Sequence, residues 1–190
     1  PGVALKRIHV TPLNTDFSSG WPSLGFKGGC TLDFLVQDNL YLCTGFAYIP
    51  YQQVALKHTE NKAVKMHEKH NLEYFQVPLL AKFCSDEFAL DTLFYFQFGF
   101  VPQLKLRDRN TDKQDSGSLT ITKFNNVSFS SLVGFGVEYD LGISTSVFAG
   151  LSGQFGLRNV IKEHTETLNN NSYKIEGFCH LICLDVGMRL

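Results

Sequence analysis

Apolar and polar positions alternate with a period of two along most of this 190-residue chain, in segments too long and regular to be loops. The stretch 92–106 is the clearest: Thr92, Phe94, Phe96, Phe98, Phe100, Pro102, Leu104 and Leu106 share one face. Asp91, Leu93, Tyr95, Gln97, Gly99, Val101, Gln103 and Lys105 share the other. The same alternation predicts strands over 24–36, 40–51, 71–84, 127–139, 143–157 and 174–190. An eighth, over about 4–13, rests on Ile8 and Val10. His180 interrupts the last apolar stripe and predicts a bulge there. Pro78 predicts a lost ladder hydrogen bond within 71–84.

The connections alternate in length. Short turns are expected at 37–39, 85–87 and 140–142, and long polar loops at 14–23, 52–70, 107–124 and 159–172. That rhythm predicts an all-β fold, an eight-stranded antiparallel up-and-down barrel forming one domain over residues 1–190. Alternation alone does not say which face points inward, because a soluble lipocalin-like carrier of an apolar ligand alternates too. The polar face decides it. Ten of the 16 glycines lie there: Gly25, Gly29, Gly45, Gly99, Gly134, Gly136, Gly150, Gly156, Gly177 and Gly187. Small residues suit a cramped lumen, whereas a water-facing exterior would carry abundant Lys, Glu and Thr. Lys27, Asp33, Lys82, Asp91, Glu138, Asp185 and Arg189 share the glycine face in near balance of sign, and form the expected lumen charge network. On lipid each charge would cost roughly 2–4 kcal/mol at the midplane, so they belong inside. The opposite stripe of Phe94, Phe96, Phe98 and Phe100 is expected to meet lipid or a partner barrel.

Composition narrows the class further. Lys plus Arg is 17 and Asp plus Glu is 18, so nothing marks a nucleic-acid binder. Charged residues make up 18% and aromatics 13%, which excludes a disordered chain. No run approaches the roughly 18 apolar residues of a spanning helix. Pro1-Gly2-Val3-Ala4 leads directly into Leu5-Lys6-Arg7 without an apolar core segment, so any signal peptide is taken as already removed. Five cysteines (Cys30, Cys43, Cys84, Cys179, Cys183) form no CxxC pair and read as small buried side chains. Whether Cys43, Cys179 and Cys183 meet across the lumen stays open.

Tyr74-Phe75-Gln76-Val77-Pro78-Leu79-Leu80-Ala81-Lys82-Phe83 resembles the Tyr-x-x-(Ile/Val)-Pro-Leu-Leu-x-(Lys/Arg)-(Tyr/Phe) strand of an outer-membrane β-barrel family of Bacteroidota related to PorT. Phe155-Gly156-Leu157-Arg158-Asn159-Val160 is similar to the Gly-Leu-x-Asn-(Ile/Val) late in that family, and Leu184–Leu190 to its closing strand. The resemblance covers roughly residues 20–190. It implies a transmembrane barrel in the cell outer membrane, with short periplasmic turns and long extracellular loops.

Candidate chemistry is sparse. His67-Glu68-Lys69-His70, with His58 nearby, has the spacing of a helix turn, but no further ligand pattern completes a metal clamp, and a solvated loop is the plainer reading. The alternating charges Lys105, Arg107, Asp108, Arg109, Asp112, Lys113 and Asp115 read as a solvated loop as well. No spacing of Ser, His and carboxylate picks out a catalytic triad, so no enzyme, cofactor or metal is expected. The expected role is a non-enzymatic subunit of an envelope complex for secretion, uptake or barrel assembly. Its partners would be outer-membrane lipids and other outer-membrane proteins of that complex, with no nucleic acid. A narrow porin-like channel is the alternative.

Overall fold

The computed structural model describes the backbone of residues 2–11, 17–19, 23–60, 63–110, 120–142, 145–159, 161–166, 171–173 and 176–189. Side chains are described for 24–50, 71–108, 124–142, 145–159 and 177–189. Thirteen strands follow in chain order: β1 (Gly2–Thr11), β2 (Phe17–Ser19), β3 (Ser23–Gln37), β4 (Leu40–Glu60), β5 (Ala63–Gln76), β6 (Leu79–Cys84), β7 (Thr92–Asn110), β8 (Thr120–Phe124), β9 (Val127–Gly142), β10 (Thr145–Gly156), β11 (Ile161–Glu166), β12 (Asn171–Tyr173) and β13 (Glu176–Arg189). The described residues contain no helix.

Eight staves make the barrel: β1, β3, β4, β5 continued by β6, β7, β9, β10 and β13. Every neighbouring pair is antiparallel, and β1 pairs with both β3 and β13, which closes the ring. Closure leaves no exposed edge in the walls, which a lipid environment requires of any sheet that spans it.

The stave formed by β5 and β6 is interrupted where the sequence places its proline. Thr44 pairs with Leu79 and Ala47 with Gln76, leaving Val77 and Pro78 outside the ladder opposite Gly45 and Phe46. The Val77 N–H is retained by donating to the Pro102 carbonyl at 3.0 Å. Gly45 absorbs the bend with φ 149°, and a Cβ there would land on the Cys30 carbonyl oxygen. The bulge expected at His180 does not occur. β13 keeps unbroken register through Arg7↔His180 and Phe155↔His180, because the imidazole takes an outward position edge-on to Phe155, centroids 5.9 Å apart.

The connections depart most from expectation. Residues 52–60 and 63–70 are not a loop; they continue β4 and β5 as a paired hairpin. β4 alone has 21 residues, about 70 Å of strand, where a tilted crossing needs about 9–11 residues. β2 pairs with its far end through Phe17↔His58, Ser18↔Lys57 and Ser19↔Leu56. β7 likewise runs to Asn110, and β8, β11 and β12 form a separate three-stranded antiparallel sheet. Asp112, Lys113 and Asp115 lie outside the described residues. At the opposite end the β3–β4 turn is tight, with Asn39 at φ 64° and its amide donating to Asp86 at 3.0 Å.

Candidate functional site

The two faces of each stave settle the direction of the barrel. Phe94, Phe96, Phe98 and Phe100 point outward with 45–61% of their surface exposed. So do Leu32, Phe34, Leu42, Phe46, Leu79, Phe83, Val133, Phe135, Leu151, Leu184 and Met188 from other staves. Between them, Cys43, Tyr74, Gln76, Leu80, Lys82, Tyr95, Val101, Gln103, Ser130, Leu132, Glu138, Gln154 and Cys183 are buried. The apolar stripes are therefore the exterior and the glycine-bearing face is the lumen. The soluble carrier, whose apolar face would turn inward, is excluded by this packing. The glycines fit the same account: a Cβ on Gly99 would strike the Leu79 carbonyl, and one on Gly150 the Tyr95 hydroxyl.

The lumen is layered. Nearest the short turns, the Lys82 ammonium (β6) donates to Glu138 (β9) at 2.8 Å and to Asp33 (β3) at 3.3 Å. The Arg189 guanidinium (β13) donates to Glu138 at 3.2 Å, and the Ser146 hydroxyl to the same carboxylate at 2.6 Å. Asp33, Lys82, Glu138 and Arg189 come from every second stave, so each side chain reaches toward the axis without colliding with its neighbour. Aromatics from the staves between them cover the cations. Lys82 Nζ lies 5.0 Å from the Tyr95 ring centroid and Arg189 sits 4.8 Å from that of Tyr41.

Higher up, Lys27 approaches Asp185 at 3.7 Å, and the Ser152 hydroxyl donates to that carboxylate. An apolar layer of Cys43, Leu80, Val101 and Leu132 fills part of the section, flanked by Tyr41. Toward the long connections the lining turns to amides and hydroxyls. Gln76 donates across the lumen to Gln154 at 3.4 Å, and Gln103 donates to Ser130. Phe124, at the end of β8, is buried at this end, and its carbonyl accepts from Lys105 Nζ at 3.0 Å.

Of the seven charges expected to meet in the lumen, the structure brings together Asp33, Lys82, Glu138 and Arg189, with Lys27 and Asp185 as a separate pair. Asp91 is not among them. It sits exposed in the turn before β7 at φ 55°, where its backbone carbonyl accepts from Asp140 N–H at 2.8 Å. β7 begins at Thr92, so Asp91 falls one residue outside the strand whose polar face it was assigned to. Ser146 and Ser152 fall on the polar face of 143–157 in the alternation but were not singled out as partners of Glu138 and Asp185; only their hydrogen bonds show that role. No disulfide joins the five cysteines; Cys43, Cys179 and Cys183 are buried and Cys30 is exposed on the outer face. His67-Glu68-Lys69-His70 lies in β5, so it forms no helix turn; its side chains are outside the described ones.

An aromatic exterior, a closed antiparallel wall and a charge-paired lumen define a membrane-spanning β-barrel. Residues 2–162 match the model of a family described as the outer membrane protein beta-barrel domain, and the chain belongs to that family. It is an outer-membrane protein. Its fold is similar to that of Neisserial surface protein A (NspA), with TM-score 0.52 and 15% identity over 100% of this chain and 95% of that one. It is similar also to the outer membrane protein OprG from Pseudomonas aeruginosa, with TM-score 0.54 and 9% identity over 100% of this chain and 96% of that one. At those identities the likeness is one of fold. Among curated proteins, none matches the sequence.

Proposed function

We propose that this barrel is a closed, non-enzymatic membrane subunit of a larger envelope assembly serving secretion, nutrient uptake or barrel assembly, in the Bacteroidota group related to PorT. The observation that carries the reading is the filled lumen. The ionic layer, the Cys43–Leu80–Val101–Leu132 layer and the Gln76–Gln154 contact occupy successive heights, so the interior is spent on holding the walls together. An eight-stranded barrel has room for little else, since open pores take about 16 strands. What remains for binding is the long hairpin of β4 and β5 with the strands beside it. The segment Tyr74–Phe83 supports the PorT relationship, and the outward Phe94–Phe100 stripe supports contact with lipid or a neighbouring barrel.

The test is gentle detergent extraction from native membranes, affinity capture and identification of stoichiometric companions, with single-channel recording of the same preparation. A defined set of envelope proteins and a silent bilayer are the expected results. A lone monomer that conducts would overturn the reading in favour of a narrow channel through the glutamine- and serine-lined lumen.

A further inference from the structure

The two mouths of the lumen differ in wetness. At the short-turn end the Arg189 side chain keeps 36% of its surface exposed although it is paired with Glu138. At the long-connection end Leu72 and Tyr74, the highest inward side chains described on β5, are 0% and 2% exposed, and Phe124 is 4% exposed. An open mouth would wet these positions first, so the outer end carries a seal.

Phe124 belongs to the separate three-stranded sheet. β8, β11 and β12 lead along the chain into or out of three neighbouring staves, β9, β10 and β13, yet among the described residues no ladder joins that sheet to the wall. The backbone bonds of the wall reach the Lys105 N–H, which donates to the Asn126 carbonyl at 2.8 Å, and the Leu157 N–H, which donates to the Phe129 carbonyl at 2.8 Å. Beyond them, side chains make the attachment. Lys105 faces inward on β7 with Val101 and Gln103; its Nζ donates to the Phe124 carbonyl at 3.0 Å and lies 5.8 Å from the centre of the Phe124 ring. Asn125 Nδ2 donates to the Asn159 carbonyl at 2.8 Å, and Asn159 Oδ1 accepts from the Gly177 N–H at 2.9 Å. Asn159 thereby ties the approach to β9 and the start of β13 to the chain leaving β10.

A ladder opens only by unzipping, whereas a few side-chain bonds, each worth little alone, can part while the wall stays intact. We propose that β8, β11 and β12 form a lid over the outer mouth of the lumen, with Phe124 as its stopper and Lys105 and Asn159 as its latches. Beneath it lies the uncharged lining of Gln76, Gln103, Ser128, Ser130 and Gln154. The ionic layer around Glu138 is a second and independent barrier, so lifting the lid exposes the upper lumen without opening a path through the barrel.

Cys179 is a native reporter for the lid. It is buried on the inward face of β13 just below Gly177, while Cys183 lies further down the same face and Cys43 in the apolar layer. The full chain, folded in detergent micelles, is treated with a water-soluble maleimide, and mass spectrometry of the digested protein assigns each labelled thiol. In the wild type Cys179 is expected to label as slowly as Cys183. F124A, K105M and N159A are each expected to speed Cys179 labelling about tenfold, the scale of one or two lost hydrogen bonds, and to leave Cys43 and Cys183 protected. R158Q, which removes an exposed cation beside Asn159, is expected to change nothing. A heat-modifiable band certifies folding of each variant, and any one of the three that folds suffices. Rapid labelling of Cys179 in the wild type would show that no seal exists. An unchanged Cys179 rate in the folded variants, or a rise of Cys43 and Cys183 in step with it, would overturn the lid, the second by showing that the whole barrel loosens. None of these outcomes bears on membership of a larger assembly, which the capture experiment reads separately.

Discussion

Lys82→Met removes the cation that ties three staves together, and its consequence can be worked from the distances. At an effective dielectric of about 20, an ammonium attracts a carboxylate 2.8 Å away by roughly 6 kcal/mol and one 3.3 Å away by roughly 5 kcal/mol, before desolvation. Burying the ammonium offsets much of that gain, so the pair contributes little beyond an apolar replacement of the whole set. Breaking it on one side is another matter. Glu138 is 2% exposed and cannot recover water, although Arg189 at 3.2 Å and Ser146 at 2.6 Å still support it. The expected cost is about 3–5 kcal/mol, nearer the lower figure because Arg189 stays. Glu138→Gln alone should cost about 3 kcal/mol by the same reasoning, since it leaves Lys82 facing only Asp33. The double variant should cost distinctly less than the two together, with a coupling of about 2–3 kcal/mol. Urea titration of the barrel folded in lipid vesicles, followed by the heat-modifiable gel band, measures all three. A Lys82→Met cost below about 1 kcal/mol, or simple additivity, would refute the claim that the ionic layer holds the walls together.

The lipid-facing assignment predicts that Phe98→Arg, mid-way along the outward stripe of β7, destabilises the vesicle-folded barrel by about 2–4 kcal/mol in the same titration; an unchanged midpoint would place that face against water or protein. Gly99→Ala on the inner face should cost at least about 2 kcal/mol, because its Cβ meets the Leu79 carbonyl and the Leu80 backbone, which cannot step aside as a side chain can. Its failure to reduce the fraction folded would show a roomier wall. Cys43 and Cys183, at 3% and 1% exposure, should resist a water-soluble maleimide until the barrel is unfolded, and labelling of either in the folded state would mean that water reaches the lumen freely.

The period-two pattern carries the barrel because each crossing must present one apolar face to lipid, and a slip of one residue would put Lys82 or Glu138 into hydrocarbon. That penalty is why the crossing strands, the inward face of Lys27, Asp33, Lys82, Glu138, Asp185 and Arg189, and the turn at Asp38–Asn39 were legible from residues alone. Beyond the lipid boundary the penalty vanishes. Residues 52–60, 63–70 and 107–110 are polar, and polarity without alternation of hydrophobicity reads as loop, yet backbone pairing with neighbours already aligned by the barrel extends them as strands. Asp91 was misplaced for a related reason. Its position in the alternation matched the lumen face, but the chain turns there through a positive φ, which a parity count does not register. His180 was misread in the other direction: a single polar residue on an apolar stripe implied a bulge, while edge contact with Phe155 let it stay in register.

The same alternation that hides charges in the membrane displays them above it. Within the wall, Asp33, Lys82, Glu138 and Arg189 pair because the lumen forces opposite signs from alternate staves into one layer, and an unmatched charge there would have no water to turn to. Past the rim that constraint lifts: Arg107 is exposed opposite Glu73 of β5, and Lys105 Nζ lies 3.8 Å from Asp108 on its own strand. Loss of Lys82 should therefore be felt chiefly as unfolding, and loss of the exposed Arg107 should change stability by less than about 1 kcal/mol. Lys82→Met and Arg107→Gln altering stability equally in the vesicle-folded barrel would contradict this division.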